Sequence, residues 1–252
     1  MLFRSDMALN NWERFAQTLQ SPADHYRLLL SQPMRLELLL HIFSASQFLA
    51  QTLIRTPSFF DWITQPQTVQ QPVGLSTLRR QLRALASTHP PGSEGAWLDA
   101  LRITKRREIL RIGTRDICLH APLADVTAEI SALAAATIQA VYERTWQQLE
   151  AQCGEELANQ SPARHMCVLS FGKLGGGELN YSSDIDLLIA TDSSLPLDHQ
   201  LTSGKSMRDI CSTAVVTMRS SLSSYTAEGY LFRVDLRLRP YGRTGMLVHS
   251  VD

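Results

Sequence analysis

The chain has 252 residues, with 24 lysines and arginines against 24 aspartates and glutamates, so its formal charge at neutral pH is zero. That balance excludes the broad basic surface of a protein that works on nucleic acid, and points to a protein or small molecule as the substrate. No stretch approaches the ~20 consecutive apolar residues of a membrane span, and no basic region followed by an apolar core opens the chain, so the expectation is a cytoplasmic protein with no membrane contact.

Length and a 44% hydrophobic content suffice for two domains of ordinary size. Residues 1–155 read as helical. Over 33–53, Leu36, Leu39, Leu40, Phe43, Phe48 and Leu49 recur near helical spacing, and 58–63 adds Phe59, Phe60 and Trp62 as core aromatics. The Gln- and Pro-rich stretch 65–72 and the segment 89–95, with Pro90-Pro91-Gly92, break the helices. From 97 to 117, Leu98, Leu101, Ile109, Leu110, Ile112 and Ile117 share a stripe, with Lys105, Arg106, Arg107, Arg111 and Arg115 alongside, most of them as a solvated face, the alternative being that Arg106, Arg107 or Arg111 reaches a ligand or a protein partner. An Ala-rich helix over 125–152 leads across 155–163 into a second domain, 156–252. Cys118, Cys153, Cys167 and Cys211 are scattered without a C-x-x-C pair, and read as reduced structural thiols, Cys167 within a buried strand.

The second domain carries the chemistry. The apolar run 166–170 predicts a short strand, and the glycines after it, Gly172, Gly175, Gly176 and Gly177, predict a turn whose backbone N–H groups can approach phosphate oxygens. Asp184 and Asp186 are two apart at the head of a predicted strand over 186–190, a spacing that points both side chains to one face. A helix over 206–222 follows. Strict alternation over 231–238 predicts a third strand, with Phe232, Val234, Leu236 and Leu238 facing one way and Arg233, Asp235 and Arg237 the other. The order is strand, turn, strand, helix, strand. Beyond Pro240 the residues 241–245 read as a turn before a strand-like 246–248, and the expected fold class is α+β: a helical N-terminal bundle followed by a small mixed sheet, incomplete at its C-terminus.

Such a set suits the transfer of a nucleotidyl group. Negative charge grows on the attacking and leaving oxygens at an α-phosphorus, and two divalent ions roughly 3.5–4 Å apart stabilise both. Mg²⁺ takes oxygen ligands and keeps several waters, so three carboxylates and the substrate phosphates complete its shell. Asp184, Asp186 and Asp235 are the candidate metal ligands and catalytic residues, with Asp235 placed to help take a proton from the nucleophile.

The spacing from Gly172 to Asp184, with Ser183-Asp184-Ile185-Asp186, resembles the signature of the DNA polymerase β-like nucleotidyltransferase superfamily, although Lys173 stands where that pattern often has serine. More narrowly, the run from Gly172 through Glu178-Leu179-Asn180-Tyr181-Ser182-Ser183 to Leu187, together with Phe232-Arg233-Val234-Asp235-Leu236-Arg237-Leu238-Arg239-Pro240-Tyr241-Gly242, resembles the bacterial bifunctional glutamine synthetase adenylyltransferase/adenylyl-removing enzymes. Residues 106–113 are similar to the region before a catalytic block in that family.

The resemblance implies Mg²⁺, the nucleotides ADP and ATP, and inorganic phosphate, with Gly172, Lys173, Gly175, Gly176, Ser183 and Arg237 as their candidate contacts. It implies glutamine synthetase as protein substrate and, for the full-length family, a PII-type signal protein as partner. The family is longer, with two nucleotidyltransferase halves. The start at Met1, the helical leader and residues 232–237 look closer to the adenylyl-removing half, while Gly245-Met246-Leu247-Val248 departs from its more usual Gly-Pro-Leu-Val. On that reading the chain is a truncated part of the family's length, and whether its native frame continues past Asp252 stays open. ATP-dependent adenylylation of glutamine synthetase, a non-catalytic interaction module and a small-molecule nucleotidyltransferase stay open as alternatives.

Overall fold

The computed structural model describes residues 5–202 and 204–251; Met1 and Asp252, the two ends weighed above, lie outside them. The fold is α+β, with helices through the first two thirds and a four-stranded mixed sheet near the C-terminus. The helices are α1 (Ser5–Ala16), α2 (Pro22–Ser31), α3 (Pro33–Ala45), α4 (Gln47–Arg55), α5 (Phe59–Ile63), α6 (Pro66–Val69), α7 (Leu75–Ser87), α8 (Glu94–Leu119), α9 (Leu123–Cys153), α10 (Glu155–Gln160) and α11 (Pro162–His165). Then come β1 (Met166–Phe171), α12 (Gly172–Gly175), β2 (Ile185–Asp192), α13 (Met207–Ser223), β3 (Val234–Asp235) and β4 (Val248–Val251). Proline opens α2, α3 and α6, where the N–H it lacks would have no helical partner. The single apolar stripe expected over 33–53 is cut in two at Ser46, whose hydroxyl accepts from Leu49 N at 3.3 Å and starts α4 afresh.

Two compact units divide the chain, and α8 and α9 contribute residues to both. The first comprises residues before Gly74 with Thr104–Glu129. Its core is aromatic: Phe15 meets Phe43 and Phe60 edge to face, at 5.6 and 6.2 Å between centroids, and Asn11 Nδ2 donates to Phe43 O at 3.0 Å. Here the expected solvated cation face is corrected. Arg111 and Arg115 are buried, and Arg111 Nε donates to Glu108 at 2.8 Å and its Nη2 to Glu129 at 2.6 Å. Arg115 Nε donates to Glu129 at 2.9 Å and its Nη1 to Val69 O at 2.7 Å, while Val73 N donates to Glu129 at 3.1 Å. Charges leave water only when paired in this way. Lys105 is half-buried, and desolvation pushes its ammonium down to about 8.

The second unit comprises Gly74–Ile103 and residues from Ile130 onward. Trp97, Leu101, Leu133, Val141 and Trp146 are buried in its helical part, where the Arg144 guanidinium lies 5.4 Å from the Trp97 ring centroid. Tyr142 Oη on α9 donates to Ala163 O and Met166 O, each at 2.8 Å, and so fixes the start of β1.

In the sheet β2 is central. β1 runs antiparallel along it from Met166 opposite Thr191 to Phe171 opposite Asp186. β3 pairs in parallel with Ile185 and Asp186, and β4 in parallel with residues Ile189 to Asp192. Because β1 fills one edge, β3 and β4 lie end to end on the other. Ile185, Leu187, Ile189 and Val248 are buried on one face, and α13, whose Ile210, Ala214 and Met218 are buried, packs against β3 and β4. The α13 helix is closed by a capping box, with Ser206 Oγ accepting from Asp209 N and the Asp209 carboxylate accepting from Ser206 N.

Two sequence expectations fail in this sheet. The face of β1 that carries Cys167, Leu169 and Phe171 is left open, so Cys167 is exposed and not buried. The strand expected over 231–238 shrinks to Val234 and Asp235. Leu231 and Phe232 are buried for another reason: their N–H groups both donate to Leu222 O near the end of α13, at 3.1 and 2.9 Å. Leu236 is half-buried and Leu238 exposed, so the alternation stops tracking burial there.

Candidate active site

The glycine segment is a single helical turn that leaves β1 and folds back on itself. Gly176 N donates to Gly172 O at 3.0 Å, Gly177 N to Leu174 O at 3.1 Å and Glu178 N to Lys173 O at 2.7 Å. Gly172 has φ of +56°, which favours glycine, and a Cβ there would meet Asp186 Oδ2 and push the carboxylate aside. At Gly175 a Cβ would come 2.6 Å from the Ser170 carbonyl oxygen; that hydrogen faces the end of β1. The segment is tied to α9 by Leu179 N, which donates to Ser131 Oγ at 3.0 Å.

The next turn delivers the first acid. Asn180 Oδ1 accepts from Ser182 N at 3.2 Å and from Ser183 Oγ at 2.6 Å, an Asx-type turn that stops just before Asp184. β2 then begins, held at its first residue by Ile185 N donating to Arg233 O at 2.9 Å. Asp186 and Asp235 are register partners in the parallel ladder between β2 and β3, and therefore share a face of the sheet.

These elements enclose an open cleft of about 460 Å³ lined by Gly172, Lys173, Asn180, Ser182, Ser183, Asp184, Asp186 and Arg233. Of the residues singled out from sequence, Gly172, Lys173, Ser183, Asp184 and Asp186 meet here. Gly175, Gly176, Asp235 and Arg237 are not among the lining residues, although Asp235 stands beside Asp186 in the ladder. Asn180, Ser182 and Arg233 join the cleft without having been chosen as site residues. The Asn-x-Ser-Ser pattern before Asp184 was the available signal for the first two, since such clusters close turns around the asparagine side chain.

Arginines dominate the local electrostatics. Arg233 Nε donates to Asp184 Oδ1 at 2.5 Å and its Nη2 to Ser182 O at 2.7 Å. Arg237 Nε donates to both Asp235 oxygens, at 2.9 and 2.7 Å, and the hydrogen bond to Asp235 raises the guanidinium pKa further. Among the described residues no three His, Cys, Asp or Glu side chains gather closely enough to make a complete cation site. Asp184 and Asp235 each face a guanidinium, which plays toward them the part of a cation. Asp184, Asp186 and Asp235 offer oxygen donors only, the donor type that a hard divalent ion such as Mg²⁺ takes. Among the described residues no helix is long and apolar enough to cross a membrane.

A family model described as glutamate-ammonia ligase adenylyltransferase matches residues 36–252, a span that includes both carboxylate blocks and most of the helical region.

Proposed function

The chain belongs to the glutamate-ammonia ligase adenylyltransferase family, whose members are nucleotidyltransferases acting on glutamine synthetase, and we propose that the cleft between the glycine turn and β2 is where this chain transfers the adenylyl group. The observation that carries the reading is the pairing of Asp186 with Asp235 on adjacent parallel strands, beside a turn whose glycine admits the Asp186 carboxylate. The direction we favour is phosphorolytic removal of AMP from an adenylyl-tyrosine, because residues 232–237 resemble the adenylyl-removing half of the bifunctional enzymes.

In this reading Asp184, Asp186 and Asp235 would hold Mg²⁺, which when bound offsets the negative charge that develops around the α-phosphorus. Lys173 and the polar groups of the cleft orient inorganic phosphate in line with the bond to be broken. A phosphate oxygen forms the new bond to the α-phosphorus. The bond from phosphorus to the tyrosine oxygen breaks, its electron pair stays on that oxygen, and a proton from the attacking phosphate ends on the tyrosine. The products are ADP and unmodified tyrosine. In the alternative reaction, adenylylation from ATP, the tyrosine hydroxyl attacks the α-phosphorus, Asp235 takes its proton and pyrophosphate leaves, with the same three acids.

The test is to offer the purified protein adenylylated glutamine synthetase with phosphate, and separately unmodified glutamine synthetase with ATP. ADP release in the first reaction supports the proposal, while pyrophosphate release in the second alone assigns the opposite direction. Nucleotide binding without turnover in either makes the chain an interaction module.

A further inference from the structure

We propose that Arg233 is a substrate-binding residue that changes partner during the reaction, from the Asp184 carboxylate to a phosphate oxygen of the bound nucleotide. The inference rests on the nucleotidyl-transfer reading above. Its basis is a contrast among three arginine–carboxylate pairs. Arg111 and Glu108 leave only 2% of each side chain in water, so their pairing is part of the core. Arg237 is 62% exposed but grips both oxygens of an Asp235 side chain that is only 16% exposed, and it does not line the cleft, so what sets it apart is the half-buried carboxylate and its place outside the cleft. Arg233 and Asp184 are 58% and 51% exposed and both line the cleft. Water screens such a pair, so it contributes little to stability and is readily exchanged.

The backbone favours the same role. Arg233 O is fixed to β2 by Ile185 N at 2.9 Å, so exchange needs only side-chain rotation. The guanidinium fork, now split between Asp184 Oδ1 and Ser182 O, matches the geometry of a phosphate as well as that of a carboxylate. Charge requires it too. Lys173 and Arg233 balance Asp184 and Asp186 in the cleft, so an anionic ligand needs a cation released from a carboxylate. A divalent ion on Asp184 would release Arg233 at the moment the phosphate arrives.

The experiment compares the unmodified chain with Arg233→Gln and Arg233→Lys, measuring Mn²⁺ binding by electron paramagnetic resonance and ADP binding by calorimetry. Exchange predicts effects of opposite sign. Arg233→Gln should bind Mn²⁺ more tightly, because a competing cation is gone, and ADP roughly 10-fold more weakly, because a charged hydrogen bond is lost. Arg233→Lys should recover part of the ADP affinity. If Arg233 only props up Asp184 and Ser182, both affinities fall together and the inference is overturned. Unchanged ADP affinity in Arg233→Gln overturns it as well. An unmodified chain that binds no Mn²⁺ fails at the earlier step, and removes the nucleotidyl-transfer reading along with the exchange.

Discussion

The carboxylate of Asp186 lies so close to Gly172 that a single methyl group on Gly172 would overlap its Oδ2. Three of the four glycines of this segment, Gly172, Gly175 and Gly176, differ in what a side chain would meet, and substitution separates them. Gly176→Ala finds ordinary contact, its nearest neighbour at 3.6 Å, and should leave melting temperature and activity almost unchanged. Gly175→Ala drives Cβ to 2.6 Å from Ser170 O and should cost about 1–3 kcal/mol of stability as the turn shifts from β1. Gly172→Ala should displace Asp186, lowering turnover more than stability. Thermal melts and turnover on the same three proteins check the ordering.

Asp184→Asn removes a charge from the cleft but no core volume. Turnover should fall by at least about 100-fold, about 3 kcal/mol of transition-state stabilisation. Stability should move by no more than about 0.5 kcal/mol, because the pair with Arg233 is half in water. Full turnover in this variant would remove the acid from the mechanism.

Glu129 is the hub of the buried network, with Arg111, Arg115 and Val73 N all donating to it. Glu129→Gln should cost about 3–5 kcal/mol, because two buried guanidiniums lose their shared counter-charge. The urea midpoint should fall at unchanged slope.

Lys105 carries a pH signature. Its folded pKa, about 8, is below the ordinary 10.5, so the folded chain holds fewer protons than the unfolded chain between those values. Stability should therefore rise with pH across that window, and the penalty should be fully present below pH 8. The shift sets an upper bound of about 3 kcal/mol, and partial exposure of the side chain reduces the expectation to about 1 kcal/mol. Lys105→Met should raise stability by that amount at pH 7 and flatten the rise, as read by denaturant titrations from pH 7 to 10.5.

Much of this fold could be read from residue patterns. The apolar run opening at Met166, the acids at the head of β2 and the amphipathic α13 each carry a local signal that survives folding. What could not be read depends on neighbours distant in sequence. Period-two alternation over 231–238 looked like one strand because Leu231 and Phe232 are apolar, yet they are buried near the end of α13 and only Val234 and Asp235 pair with β2. The cations of α8 looked solvated because helical spacing does not show that Glu129, on another helix, meets Arg111 and Arg115. Cys167 looked buried because a strand with one face left open can have the same composition as a strand covered on both. In the cleft the carboxylates and glycines stood out, whereas Arg233 did not, since its role depends on where Asp184 lies.

The three acids do not ride on equally stiff supports. Asp186 belongs to β2, which pairs with β1 from Asp186 to Thr191 and with β3 and β4 at the two ends of its other edge, whereas Asp235 sits on a strand only two residues long. Amide hydrogens along the middle of β2 should exchange with solvent only on global opening, while those at Val234 and Asp235 exchange by local fraying. Asp235 is thus the adjustable member of the set. A ligand or partner that stiffens these two ladder pairs would hold Asp235 in register with Asp186, and would do so without touching the longer pairing of β2 with β1.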